Sequence, residues 1–180
     1  MDRKFFDHAE GIRERIPLMS SWADFAIHCP DLAARMRASF DAYLHKVLAT
    51  IRKDGSPRLT GTEVDFLNGQ IWIGSMPGSR RAADLLRDPR CALHNAPADE
   101  TISLGDAKVS ARATHVDSGF ERNALMEARC KAGLEVPEGP FHIFRLDITE
   151  VALTSIAPSN DHLVIEAWRP GKGITLVKRH

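Results

Sequence analysis

Residues 48–94 read LATIRKDGSPRLTGTEVDFLNGQIWIGSMPGSRRAADLLRDPRCALH, and the order of turns and apolar runs in this stretch decides the fold. Lys46 to Arg52 is short and rich in branched residues, and Asp54-Gly55 supplies a tight turn after it. Pro57 to Phe66 reads as a second strand. Asn68-Gly69 follows, a hairpin signal because both residues tolerate positive φ, and Gln70 to Ser75 reads as a third strand. Turns this short cannot join parallel strands, so the three are expected to form an antiparallel meander.

Outward from this stretch the pattern stays mixed. SRRAADLLRDP has helical composition and stops before Pro89, and Arg90 to Asn95 returns to strand. From Lys108 to Thr114 polar and apolar residues alternate, with Val109, Ala111 and Ala113 on one face, as in a strand buried on one side. Gly119 to Cys130 reads as helix, Phe141 to Ile156 as a long β stretch, and Leu163 to Trp168 and Ile174 to Val177 as further strands. On the N-terminal side the first forty-odd residues read helical. Asp31, after Pro30, is the expected cap of a helix through Tyr43, with Leu32, Met36 and Phe40 spaced by four along one side. Five to seven antiparallel strands with interspersed helices predict a mainly β, α+β chain built on a small barrel. No GxGxxG follows a strand, and Gly171-Lys172-Gly173 lacks Walker spacing and reads as a turn.

The 180 residues suit one domain, and with 43% hydrophobic and 27% charged residues there is enough apolar material for a core. Lys+Arg and Asp+Glu both number 24, and neither half of the chain has the positive bias of a nucleic-acid binder. No apolar run approaches the ~20 residues of a membrane span. MDRKFFDHAEGIRERIP lacks the apolar stretch of a secretory signal, so a cytoplasmic protein is expected. Cys29, Cys91 and Cys130 form no CxxC pair and read as reduced thiols. The eight histidines include no pair at helical ligand spacing and no HExxH, so no metal site is expected.

The chemistry concentrates at Gly74-Ser75-Met76-Pro77-Gly78-Ser79-Arg80-Arg81. Ser79 suits the N-cap of the helix that follows, which puts Arg80 and Arg81 in its first turn. The helix dipole already makes that end positive, so each exposed cation there costs about 0.3–1 kcal/mol. A bound phosphate would remove the conflict by taking backbone N–H groups, the Ser79 hydroxyl and both guanidinium groups. Solvated arginines are the alternative. Arg58, Thr60 and Thr62 share one strand face that suits a phosphate or a polyhydroxylated chain, and Gly61 between them marks either close approach by a ligand or a bulge.

These residues resemble the pyridoxamine 5′-phosphate oxidase-like, FMN-binding split-barrel family. The shared pattern is a strand, a DG-x-P hairpin, a cofactor strand, an NG hairpin, a G-S-R-R-A helix start, D-P-R and an apolar strand. It is clear over residues 45–116 and continues through the 141–156 strand and Trp168, leaving 1–44 as an N-terminal helical extension to the barrel domain of 45–180. The resemblance implies a homodimer of six-stranded antiparallel split barrels with FMN at the subunit interface. It assigns Arg80 and Arg81 to the FMN phosphate, with Ser79 preceding them. Gly74 and Ser75 are expected along the flavin, and Thr60, Gly61, Thr62 and Glu63 on the strand beside the ribityl chain and ring. Asp106 is expected to reach the flavin from the other subunit, and Trp168 to match a C-terminal tryptophan near it. Asp65 stands where the oxidase has a substrate-phosphate lysine, and Arg169-Pro170-Gly171 replaces its Arg-x-His motif, so pyridoxamine phosphate is not the expected substrate.

The expectation is a flavin-dependent oxidoreductase acting on a small molecule, with His94 the nearest candidate for a polar role and a structural role the simpler one. Two other readings stay open. The deazaflavin F420 would use Arg52, Lys53 and Arg58 for its acidic tail. A flavin- or haem-binding protein without turnover would take an axial ligand from His28, His94 or His162.

Overall fold

A computed structural model describes residues 18–95, 97, 102–117 and 119–180. The helical expectation for residues 1–17 lies outside the described residues. Among the described residues, nine antiparallel strands form one open sheet with four helices against it, a split barrel with flanking helices. β1 (Lys46–Ile51) and β2 (Pro57–Thr62) make the first hairpin, and β3 (Asp65–Leu67) and β4 (Gln70–Ser75) the second. β5 (Arg90–His94), β6 (Asp106–His115) and β7 (His142–Ile156) complete a path in the order β2-β1-β5-β6-β7-β4-β3. β8 (Leu163–Arg169) and β9 (Gly173–Arg179) form a hairpin on the far half of β7, with Gly171-Lys172-Gly173 at its turn, as expected.

The predicted meander is not present. The expected strand from Pro57 to Phe66 breaks at Glu63-Val64, so β2 ends one side of the strand path while β4 lies next to last on the other, with no ladder between them. Two local causes are visible. Thr62 is buried and its hydroxyl donates to the Glu63 carbonyl (3.0 Å), which competes with continued pairing. β4 instead takes the near half of β7, from Ile71 opposite Leu146 to Ser75 opposite His142. The split in the barrel is therefore the gap between β2 and β4.

β7 serves two sets of neighbours because it changes phase along its length. Phe144, Leu146 and Ile148 point into the core in its near half, and Val151 and Leu153 in its far half. The switch from even to odd numbers occurs at a bulge. Ser110 pairs with Glu150 and Ala111 with Ile148, leaving Thr149 as the extra residue. The predicted alternation in β6 holds across it, with Val109, Ala111 and Ala113 buried.

α1 (Trp22–His28) and α2 (Pro30–Asp41) close one side of the core. α1 has a capping box: Ser21 Oγ accepts from the Asp24 amide (3.0 Å), and Asp24 Oδ2 accepts from the Ser21 amide (3.2 Å). α2 begins with Pro30 as its first residue and Cys29 as N-cap, so Asp31 sits in the first turn and does not cap. Leu32, Met36 and Phe40 are buried together, as their spacing predicts, and α2 ends at Asp41, short of Tyr43. Trp22 and Phe25 join the same core as the barrel strands, with Phe25 fully buried and its ring 5.1 Å from that of Trp168. The helices of the extension therefore share the barrel's interior. Their docking point is the Asn68-Gly69 turn, where both residues have positive φ (52° and 70°) and the Gly69 carbonyl accepts from the Ala23 amide (2.9 Å). A Cβ on Gly69 would lie 2.8 Å from that of Ala23. Among the described residues no helix is long and apolar enough to cross a membrane.

Removing the Phe25 ring would leave a cavity common to the extension and the barrel. Phe25→Ala is expected to cost about 3–5 kcal/mol in one cooperative transition, measured by urea unfolding with far-UV CD and tryptophan fluorescence. Non-coincident transitions would show that the helices unfold separately.

Candidate functional site

α3 (Arg80–Arg87) follows the Met76-Pro77-Gly78 turn, in which Gly78 takes a φ of 71°. Ser79 is its N-cap, accepting from the Ala82 amide (3.2 Å), as predicted. The two arginines after the cap have different fates. Arg81 is half-buried and turns back across the split. It donates from Nη1 to the Gly61 carbonyl on β2 (2.7 Å), from Nη2 to the Gly74 carbonyl on β4 (2.8 Å), and from Nε to Ser75 Oγ (3.1 Å). Burial lowers its pKa from the ordinary arginine value. One guanidinium thus bridges two strands that share no backbone hydrogen bonds. Ser75 Oγ lies 2.6 Å from Ser79 Oγ, which ties the bridge to the helix cap. Of the two arginines only Arg80 is exposed at the helix start, while Arg81 is drawn into the split.

A cleft of about 540 Å³ opens at this split, within the ~300–1,000 Å³ typical of ligand sites. Gly61, Thr62, Glu63, Gly74, Ser75 and Arg81 line it, so six of the sequence-predicted residues meet there. Its apolar wall is a second hydrophobic cluster on the outer face of β4, made by Trp72, Val116, Ile143 and Leu125 of α4 (Phe120–Lys131). The Trp72 indole N–H donates to the Leu67 carbonyl (2.9 Å). Gly74 lies on the same face as Trp72, and a Cβ added there would meet no protein atom within 4 Å, leaving room for a flat group to lie against the strand.

A second concavity, a basic groove, is lined by Arg52, Lys53, Arg58, Arg80 and Arg87, with Asp54 and Asp84. Asp84 organises it from below. Its buried carboxylate accepts from Arg58 Nε (2.6 Å) and the Thr50 hydroxyl (3.0 Å), and Arg87 Nη1 lies 3.5 Å from its other oxygen. Burial works against ionisation, but the hydrogen bonds from Arg58 and Thr50 and the charges of Arg58 and Arg87 outweigh it and hold the carboxyl below its usual pKa. Consecutive residues Arg80 and Arg81 therefore line the groove and the cleft respectively, as do Arg58 and Gly61 on β2.

The remaining predicted residues lie elsewhere. Ser79 touches the cleft through Ser75 and does not line it, and the Thr60 hydroxyl turns to the Leu48 carbonyl (3.5 Å). Trp168 is 3% exposed inside the core. It pairs with Val151 on the far half of β7, eight residues from the Ile143 beside the cleft, or about 26 Å of strand. Within its own chain it therefore stands away from the cleft. Asp106 also lies at the far end, opposite Thr154, where it binds His94 and Lys108. Burial opposes its ionisation, yet those two partners keep its pKa low. His94 thus has a structural partner. His28 bonds to the Asp24 carbonyl and His162 to Asp161, and neither they nor His94 line the cleft. Trp72, Arg129, Phe141 and Asp84, the partner of Arg58, are the site residues that sequence reading missed. Trp72, between two buried isoleucines in a short strand, was the only one with a local signal.

The family profile described as pyridoxamine 5′-phosphate oxidase matches residues 35–155. The chain belongs to this family. Solved structures of similar fold include PhzG from Burkholderia lata 383 in complex with tetrahydrophenazine-1-carboxylic acid, at 14% identity, TM-score 0.58, covering 83% of this chain and 90% of that one. A pyridoxamine 5′-phosphate oxidase-related, FMN-binding protein from Nostoc punctiforme PCC 73102 matches at 13% identity and TM-score 0.58, covering 84% and 96%. Campylobacter jejuni ChuZ matches at 12% identity and TM-score 0.63, covering 82% and 63%. No curated protein matches the chain. In this family member the oxidase-like segment is the one that builds the split and both concavities.

Two outcomes follow from the charge network. Arg81→Ala leaves three acceptors at the split without their donor and is expected to lower stability by about 1–3 kcal/mol, seen as a lower urea midpoint. Asp84→Asn strands Arg58 and is expected to cost about 3 kcal/mol at pH 7. Because the folded carboxyl titrates below its unfolded value, its stabilisation is present above the usual carboxylate pKa and is lost as pH falls through the folded one. Urea titrations from pH 7 to pH 3 should show wild-type and variant stabilities converging toward acid.

Proposed function

We propose that the chain is an FMN-binding flavoprotein acting as a flavin-dependent oxidoreductase on a small molecule. The observation that carries this reading is the adjacency of an apolar-walled cleft and a basic groove, with Arg81 and Arg80 assigned one to each. That juxtaposition matches a cofactor with a flat ring at one end and a phosphate at the other. Arg80 and Arg58, together with the free N–H groups of the α3 tip, would hold the phosphate. Gly61 to Glu63 would run beside the ribityl chain, and the ring would lie on Gly74 and Ser75. A flavin supplies hydride or electron transfer when bound. The chain's own part is to orient the ring through the strands that Arg81 holds together, and to keep water from it with the Trp72 wall.

The shared site implied by the family resemblance remains part of the proposal. Asp106 lies too far along β6 to serve its own cleft and is assigned to the cleft of a second copy. The expected species is a homodimer, with a light-scattering mass near twice 20.0 kDa. The groove's five cations against two carboxylates exceed what one phosphate needs, and this favours F420, with its acidic tail, as the second reading.

Purified protein incubated with FMN or with F420 and then desalted tests both. FMN is expected to stay bound near one per chain, with a perturbed flavin spectrum. Arg80→Glu should weaken retention roughly 10–100-fold, the loss of one charge-assisted contact, while the melting temperature stays close to wild type because Arg80 is exposed. Equal FMN retention by the variant would remove the phosphate site. Retention of F420 alone would replace the first reading by the second.

A further inference from the structure

The end of the cleft beneath α4 carries a charge arrangement that bears on which molecules enter it. Asp65 pairs with Trp72 across the β3–β4 hairpin, so its side chain rises from the same face as the Trp72 wall. Arg129, in the last turn of α4, comes down to meet it as an ion pair, each side chain about one-fifth exposed. Arg129 Nε also donates to the Glu135 carbonyl (2.9 Å). The guanidinium on this side of the cleft is thus neutralised from within. Arg81, the other cleft arginine, has its donors on the Gly61 and Gly74 carbonyls. The cleft's remaining carboxylates, Glu63 and Glu138, are both exposed at its lining. Among the carboxylates and guanidinium groups of the lining, three acidic groups face two basic ones, and both basic ones are engaged; His45 is the other titratable side chain there.

Between these charges the lining is apolar and aromatic. Trp72, Leu125 and Ile143 are buried, and Met126 and Phe141 pack against them. The guanidinium of Arg122 lies 4.3 Å from the Phe141 ring centroid, on its face. Such a surface favours a flat apolar ligand. An anionic substituent would meet exposed carboxylates, while the nearby guanidinium groups are engaged, Arg129 with Asp65, Arg81 with backbone carbonyls, and Arg122 with the Phe141 ring and carbonyl (3.4 Å).

From this geometry we propose that the α4 end of the cleft accepts neutral or cationic aromatic molecules and rejects anionic ones, with Asp65 the residue that sets the selection by occupying Arg129. The proposal rests on reading this cleft as the ligand site, and it names the substrate class for the proposed oxidoreductase.

The test uses two fluorescent probes of nearly equal shape on protein without added flavin: neutral N-phenyl-1-naphthylamine, and 8-anilinonaphthalene-1-sulfonate, which adds a sulfonate. The wild type is expected to favour the neutral probe by at least tenfold in Kd. Asp65→Asn, which frees Arg129, should shift that ratio toward the sulfonate by about tenfold. Arg129→Gln should move it the other way by leaving Asp65 unpaired, which keeps the test decisive if one variant is unstable. Gly74→Leu, whose side chain fills the cleft, should abolish neutral-probe binding. Equal ratios in wild type and both charge variants, or unchanged neutral-probe binding in Gly74→Leu, would overturn the proposal. FMN retention is measured separately on the wild type, so failure of the cofactor reading is distinguishable from failure of this selection.

Discussion

One guanidinium spans the gap at which the strand path fails to close. Backbone ladders join every neighbouring pair from β2 round to β3, yet nothing in that ladder links β2 to β4 where the path would close. Arg81 reaches from the first turn of α3 to a carbonyl on each. Its carbonyl partners supply the negative charge that its place at a positive helix end demands, so the unfavourable dipole term is answered inside the fold. Because a side chain rather than a ladder spans this gap, the strands stay far enough apart to leave a cleft beside it. The position of the site is thus a direct result of how the barrel fails to close.

The N-terminal helices reach this arrangement indirectly. Ala23 donates to the Gly69 carbonyl at the tip of the β3–β4 hairpin, and Trp22 packs edge-on against Phe66 at 4.7 Å between ring centroids. The hairpin that carries Asp65 and Trp72 is therefore gripped by α1 on one side and reached by α4 on the other. Burial of Trp22 and Phe25 stabilises the core, and the same contacts fix the wall of the cleft.

What could be read from the sequence was local. Asn68-Gly69 forms the expected turn because its requirement for positive φ is carried by the two residues themselves. Ser79 caps α3 because a cap needs only its own helix. The Ser21–Asp24 box has the same kind of local signature, which the reading of that segment as simply helical did not include. The break at Glu63-Val64 was not legible, since Pro57 to Phe66 has the composition of a continuous strand and its division goes with the pairing of β4 to a strand some seventy residues later. The place of Trp168 within its own chain was not legible for a similar reason: which end of β7 receives β8 is a matter of register, which no window of β8 contains. Arg80 and Arg81 were found together, but their separation into groove and cleft depends on carbonyls twenty and seven residues away.

Thr149 bears on the long strand as a whole. A β-strand repeats every two residues, so the inward set on β7 would run through even numbers to its end if the chain were uninterrupted. The unpaired threonine resets the count. If Thr149 were instead paired in the ladder, Glu150, Ala152 and Thr154 would face inward and Val151 and Leu153 outward, and a carboxylate would enter the hydrocarbon interior. One spare residue is thus bulged out so that both halves of the strand keep their apolar side chains inward, and its deletion would straighten the strand while leaving Ile148, Val151 and Leu153 on the inward face.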